Sequence, residues 1–184
     1  MWAKMDMAKT DIALGNYAAA DKTVDILIAD FSDQPELPTA IFILGEQYYN
    51  KALSKERQGD SEQGKEYYRK TLCVWERIIT ELPPSAMTAQ AYYSMAGCYE
   101  SLGEYEKAIE YCETVANTWP NFNAWRVQFM IARCYEDLEK SGRIGATHAA
   151  AEIRQVCEKL ADDPDPQATK AARGLLNRWG LNTN

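Results

Sequence analysis

The side chains that most often carry catalytic or metal-binding chemistry are sparse in this sequence of 184 residues. His148 is the one histidine, which excludes a metal site with two histidine ligands from a single chain. It precedes Glu152 by four residues, a spacing that predicts a surface pair on a helix. Because the sequence also lacks a glycine-rich phosphate loop, a His-Glu-x-x-His motif and a nucleophile elbow, we expect no catalytic residues and no enzymatic activity.

Thiols and carboxylates point to no metal site either. The five cysteines include no Cys-x-x-Cys pair, and their apolar neighbours at helical spacing predict small core residues: Cys73, Cys98, Cys112, Cys134 and Cys157. The acidic run at 162–166 lacks the glycine and distal glutamate of a calcium loop, so we interpret Asp165 as a helix N-cap followed by Pro166. We therefore expect no metal and no cofactor.

Composition narrows the class of partner. Apolar residues make up 46% of the chain, which excludes a disordered protein, and the net charge of −7 disfavours nucleic acid as a partner. No apolar run approaches the ~20 residues that span a bilayer. Reduced cysteines favour a cytoplasmic location, whereas a removed leader would place the chain in the periplasm or envelope.

A repeated pattern of helices accounts for most of the chain. Residues 91–102 align with residues 127–138 at a shift of 36, and earlier copies begin at Ala40 and, more weakly, at Ala3. In the copy at 91–102, apolar residues recur at the i, i+3, i+4, i+7 spacing of a helix buried along one face. A glycine turn and a second amphipathic helix ending near a proline follow, as at Gly103 and Pro120.

These residues resemble the tetratricopeptide repeat family. The unit at 86–120 carries nearly the whole pattern of this family. Its matching residues are Tyr92, Met95, Ala96, Tyr99, Gly103, Tyr105, Ala108 and Pro120. We predict one domain, residues 1–184, with an all-α fold: a right-handed α-α superhelix, or solenoid, of about four helix hairpins and a C-terminal capping helix. The predicted units are 2–35, 39–83, 86–120 and 123–164, and the cap is 166–179.

The second unit is longer than the others by 14 residues. The turn glycine, Gly59, lies seven residues late from the front and seven early from the back. Seven residues are about two helical turns, so lengthening both helices equally keeps each buried face in register. The spacing favours one elongated hairpin with its tip at 58–61, the alternative being a disordered loop. That tip is a second candidate contact surface.

The resemblance implies a non-catalytic scaffold or adaptor that binds a peptide or protein segment in a concave groove lined by the first helix of each unit. Side chains just off the buried face of those helices are the predicted groove residues: Phe42, Glu46, Tyr49, Asn50, Tyr93, Glu100, Arg126, Phe129 and Arg133. Their aromatic rings predict a strip that grips apolar side chains, and the two arginines, seven apart, an anion site. Trp2, Met5, Lys9 and Ile12 would extend the groove.

The sequence is also consistent with a second class of function. The segments 29–35 and 117–120 are similar to repeats of bacterial envelope scaffold proteins, which would make the chain an assembly or self-association module, or a fragment of a longer repeat protein. Exposed apolar residues near the start, such as Trp2, would then dock onto another copy or an upstream repeat. We expect a monomer or a weak homo-oligomer.

Overall fold

The computed structural model describes residues 1–181, and this part of the chain is α-helical without strands. Its helices are α1 (Trp2–Leu14), α2 (Tyr17–Phe31), α3 (Leu37–Arg57), α4 (Ser61–Thr80), α5 (Ala86–Leu102), α6 (Tyr105–Thr118), α7 (Ala124–Lys140), α8 (Ala146–Ala161) and α9 (Pro166–Trp179). Their bounds fall inside the predicted hairpins and cap, except that α3 begins at Leu37, two residues before the predicted start of the second unit. The predicted all-α class, with paired helices and a C-terminal helix, is confirmed.

Packing divides the chain into two compact units, Met1–Leu102 and Gly103–Asn184. The first contains α1 to α5 and the second α6 to α9. The division passes between the two helices of the hairpin predicted at 86–120. The interpretation of residues 1–184 as a single domain stays a prediction.

Within the first unit, successive first helices lie against one another. α3 contacts α1 on one side and α5 on the other, and each hairpin also packs internally, α1 on α2 and α3 on α4. α4 in turn packs on α5. This is the arrangement that a stack of helix hairpins requires, because each unit covers the apolar face of its neighbour.

α3 and α4 form one elongated hairpin. α3 has 21 residues and α4 has 20, and they meet at a tight turn. Gly59 takes a φ of +81° there, a backbone conformation that L side chains rarely adopt. Asp60 caps α4 by accepting a hydrogen bond from the backbone N–H of Gln63 at 3.2 Å. The predicted alternative, a disordered insertion, is therefore wrong.

Trp75 holds the two long helices together. Its indole is 2% exposed, stacks on the Phe42 ring with centroids 4.8 Å apart, and donates a hydrogen bond from Nε1 to the Phe42 carbonyl at 2.9 Å. Gly45 makes this approach possible, because a Cβ there would overlap the indole. A tryptophan in α4 thus depends on a glycine in α3 for its place in the core.

The second unit closes on its last helix through a buried carboxylate. Glu136 of α7 is 9% exposed and accepts hydrogen bonds from Arg178 Nε and Nη2 at 3.1 and 3.2 Å and from Trp179 Nε1 at 2.9 Å. α9 also packs on α7 and α8. Asp165 caps α9 by accepting the Gln167 N–H at 2.8 Å, which confirms its predicted role. α9 is thereby tied to α7 by both charge and packing.

The cysteine prediction is confirmed for four residues and wrong for the fifth. Cys98, Cys112, Cys134 and Cys157 are buried, but Cys73 is exposed on α4. The residue occupies the outer face of a helix whose inner face is taken by larger side chains such as Leu72 and Trp75. None of the five forms a disulfide. No helix in the described part of the chain has the length and apolar character to cross a membrane.

Candidate partner-binding surface

The middle of α3 carries three of the predicted groove residues, and they differ in exposure. Glu46 and Tyr49 are half-buried, and Asn50 is exposed. Since Asn50 follows Glu46 by four residues, both side chains point from the same side of the helix. This segment presents a carboxylate, a phenol ring and an amide to one region of the surface.

Phe42 is the predicted groove residue that the structure places in the core. It is 8% exposed, and its ring lies parallel to the Trp75 indole at an interplanar angle of 7°. A side chain one position off the buried face of a helix is covered when the neighbouring helix supplies a residue as large as tryptophan. Little of the Phe42 ring is left to contact a partner, so its role is to pack the hairpin.

Tyr49 lies at the edge of the same aromatic cluster. Its ring centroid is 6.0 Å from that of Trp75 and 5.7 Å from that of Tyr68, both in tilted geometry. Such contacts hold the ring in place while part of it stays accessible. On α5, Tyr93 and Glu100 are also half-buried, and α5 packs beside α3. The first unit therefore offers two tyrosines on adjacent first helices.

Glu46 is electrostatically unusual among these residues. Burial raises the pKa of its carboxyl above the ordinary glutamate value, and no neighbouring charge contributes to the shift. A carboxylate that has lost part of its water without gaining a cation is less stable than one in solvent. A donor brought by a partner would relieve this cost.

The predicted arginine pair lies in the second unit, on α7. Arg126 and Arg133 are both exposed, and Phe129 between them is half-buried. Arg126 lies 5.0 Å from the centre of the Trp125 ring and 3.4 Å from the Asn123 side-chain oxygen. Because Phe129 belongs to a different compact unit from Tyr49, the continuity of the predicted aromatic strip stays a prediction.

The predicted extension of the groove along α1 is partly wrong. Met5 is 7% exposed and Ile12 is 1% exposed, so both belong to the core. They share one face of α1 with Ala8, which is also buried, and that face packs inside the first unit. Trp2 is 47% exposed, as the groove prediction requires, and Lys9 is half-buried.

One further cavity in the first unit lies beside α2 and α4. It has a volume of about 390 Å³ and an apolar floor that includes Val24 and Val74. Cys73 lines it together with Arg69 and Arg77, and the latter is already paired with Asp25 and Glu81. Acidic and basic side chains both line this cavity, so its charge does not favour either an anionic or a cationic ligand.

Two side chains that are central to packing were not identified from the sequence: Trp75 in the first unit and Glu136 in the second. Trp75 falls on the buried face of α4 in register with Tyr68, Leu72 and Ile78, a pattern visible in the sequence. Glu136 carried no such signal, because its partners lie 42 and 43 residues away. The adjacent Asp137 pairs with Lys140 instead. On α8, His148 lies 3.7 Å from Glu152, the surface pair that their spacing predicts.

Family comparisons match two segments of the chain. Residues 46–72, which run from Glu46 through the hairpin tip into α4, match a tetratricopeptide repeat, and so do residues 89–122. The chain carries tetratricopeptide repeats. The stacked hairpins of the first unit are the structure that such repeats form, and repeats of this kind support a role as a protein–protein interaction scaffold.

Similarity to solved structures is distant. The translocator chaperone SycD of Yersinia enterocolitica type III secretion is 16% identical, with 76% of this chain and 90% of that chain covered and a TM-score of 0.46. BtubC (BKLC) from P. vanneervenii is 15% identical, with coverages of 97% and 82% and a TM-score of 0.43. No curated protein sequence matches the chain significantly.

Proposed function

We propose that this chain is a non-catalytic adaptor that binds a peptide or protein segment against the first helices of its repeats. In the first unit the binding residues are Glu46, Tyr49 and Asn50 on α3 and Tyr93 and Glu100 on α5. The observation that carries the proposal is that these partly accessible side chains lie on two first helices that pack side by side, among them the half-buried Glu46, whose carboxyl has its pKa raised by burial.

Retaining such a group costs stability, and functional sites are where that cost is expected. A lysine, an arginine or a backbone N–H of a bound segment would supply the missing donor, and the half-buried tyrosines would pack against its side chains. In the second unit, Arg126 and Arg133 with Phe129 are the corresponding proposed contacts, and they suit an acidic stretch of the partner.

Selection from a random peptide library on the purified chain tests the proposal and needs no assumption about the partner's sequence. Bound sequences are then titrated by calorimetry against wild type, Glu46→Gln and Glu76→Gln. Glu76 is the matched control, because it is an exposed glutamate of the same hairpin that lies on α4. Losing a charge-assisted hydrogen bond is worth about 1.5–3 kcal/mol, so Glu46→Gln should weaken binding about tenfold or more.

The control variant is expected to bind like wild type. Equal affinity of wild type and Glu46→Gln for the selected peptides would contradict the assignment of the first-unit surface. If the selected peptides instead lose affinity when Arg126 or Arg133 is substituted, we would assign the binding site to α7. A library that yields no binder at all would contradict the adaptor function.

A further inference from the structure

The outer face of α1 is apolar and uncovered. Ala3, Met7, Thr10 and Leu14, which we call the α1 ridge, recur at alternating spacings of four and three and therefore share one face of the helix. Met7 is 61% exposed and Leu14 is 71% exposed. The opposite face of the same helix buries Met5, Ala8 and Ile12 in the core. α1 is thus apolar on two sides, and only one of them is packed within the chain.

This ridge is bordered by acidic side chains. Asp6 and Asp11 line the surface around Ala3, Met7 and Thr10. Large exposed apolar residues in the described part of the chain are confined to the first hairpin, with Trp2 and Ile26 the other two. A concentration of this kind marks an interaction surface rather than ordinary scatter of apolar residues.

A complementary surface lies on α8. A shallow trough of about 510 Å³, which we call the α8 trough, is lined by Ala146, Thr147, Ala150, Ala151, Arg154 and Trp179. Most of these side chains are small, and the one charged side chain among them, Arg154, is positive. Four of these residues are alanine or threonine, so a helix with protruding side chains can approach closely. The trough begins at the amino end of α8, where the helix dipole adds positive potential.

We propose that the α1 ridge of one copy of this chain binds in the α8 trough of a second copy. Met7 and Leu14 fill the space above the alanines, and the bordering Asp6 and Asp11 face Arg154 and the amino end of α8. The alternative of two α1 ridges packed on each other is disfavoured. In an antiparallel pair, Thr10 lies opposite Met7 and Ala3 opposite Leu14, but this register also places Asp6 against Asp11 of the other copy.

The contact is head-to-tail, because the two copies use different surfaces. A helix of 13 residues is about 20 Å long, so the contact is smaller than the ~1,600 Å² of a standard interface. We therefore expect weak, reversible self-association in which the average mass rises with concentration. None of the proposed peptide-binding residues belongs to either surface, so the two functions are separable.

Sedimentation equilibrium tests the contact in wild type and two variants, from about 5 µM to about 500 µM, the range in which such small interfaces are detected. The ridge variant is Met7→Glu with Leu14→Glu, and the trough variant is Ala151→Glu. Each places a carboxylate against the partner surface, and each should weaken self-association at least about tenfold. Ile26→Glu is the control, since it alters an exposed apolar residue of α2 outside the ridge, and should associate like wild type.

Mixing the two variants gives the decisive measurement. The ridge variant keeps an intact trough and the trough variant keeps an intact ridge, so the mixture should form a one-to-one complex with wild-type affinity while each variant alone stays monomeric. Circular dichroism spectra matching wild type ensure that all variants are folded.

Three results would overturn the proposal: a wild-type chain that stays monomeric throughout, a trough variant that self-associates normally, or an Ile26→Glu variant that associates as weakly as the ridge variant. Normal self-association of the trough variant would favour pairing of two α1 ridges. A wild-type chain that stays monomeric would instead indicate that the α1 ridge binds a different protein. The ridge variant, being monomeric, also serves for the peptide titrations, so failure of one proposal is distinguishable from failure of the other.

Discussion

Substitution of Arg178 by alanine tests how α9 is held to the second unit. Arg178 donates two hydrogen bonds to Glu136, at 3.1 and 3.2 Å, and the carboxylate keeps only the Trp179 indole when the guanidinium is removed. Because Glu136 is 9% exposed, the change leaves a buried charge with one donor. The expected consequence is partial release of α9 from α7.

The magnitude follows from burial of the two partners. Breaking a fully buried ion pair costs about 3–5 kcal/mol, and each hydrogen bond to a charged group contributes about 1.5–3 kcal/mol. The Arg178 side chain is 52% exposed, however, so water can reach the freed carboxylate and replace part of the loss. We therefore expect Arg178→Ala to cost about 1–2 kcal/mol, which raises the open population of α9 about 5- to 30-fold.

Native-state hydrogen exchange measures this locally. Amide protection in α9 should fall about 5- to 30-fold in Arg178→Ala, while protection in α3 and α4 should stay at the wild-type level. Arg173→Ala is the matched control, since Arg173 is an exposed arginine of the same helix. Glu136→Gln should mimic Arg178→Ala, and the double variant should cost less than the sum of the two. Equal α9 protection in Arg178→Ala and Arg173→Ala would refute the reasoning.

Other variants probe the first unit. Gly45→Ala should destabilise the chain by about 1–2 kcal/mol despite the better helix propensity of alanine, because the added Cβ overlaps the Trp75 indole. Thermal unfolding measures this change. An unchanged unfolding midpoint would show that α3 and α4 separate easily to make room for the Cβ. A thiol reagent should modify Cys73 rapidly in the native protein and the other four cysteines only on unfolding, as counted by mass spectrometry; two or more fast thiols would contradict the packing. Glu46→Gln should raise the thermal midpoint at pH 7, because a raised pKa penalises the ionised folded state. The gain should vanish below the ordinary glutamate pKa of about 4.3, where both states are protonated, and a gain that persists at low pH would contradict the assigned cause.

Local signals in the sequence were sufficient to place the helices. Apolar residues at helical spacing mark the buried face of each helix, and glycine and proline mark where it ends, so the hairpins could be delimited before any contact between them was known. The 14 additional residues around Gly59 were interpretable for the same reason, since a whole number of helical turns preserves the buried face. Asp165 was predictable as a cap because capping involves only the next few residues.

Accessibility of individual side chains was decided by the tertiary structure. Phe42 and Tyr49 both lie beside the buried face of α3, yet Phe42 is covered because Gly45 allows the Trp75 indole to approach, whereas Tyr49 lies at the edge of that contact. Glu136 lies within one turn of Asp137 and Lys140 in sequence but bonds to Arg178, 42 residues away. Helical periodicity gives the direction of a side chain on its own helix. The size and charge of what the neighbouring helix places opposite it determine whether that side chain packs, pairs or stays available to a partner.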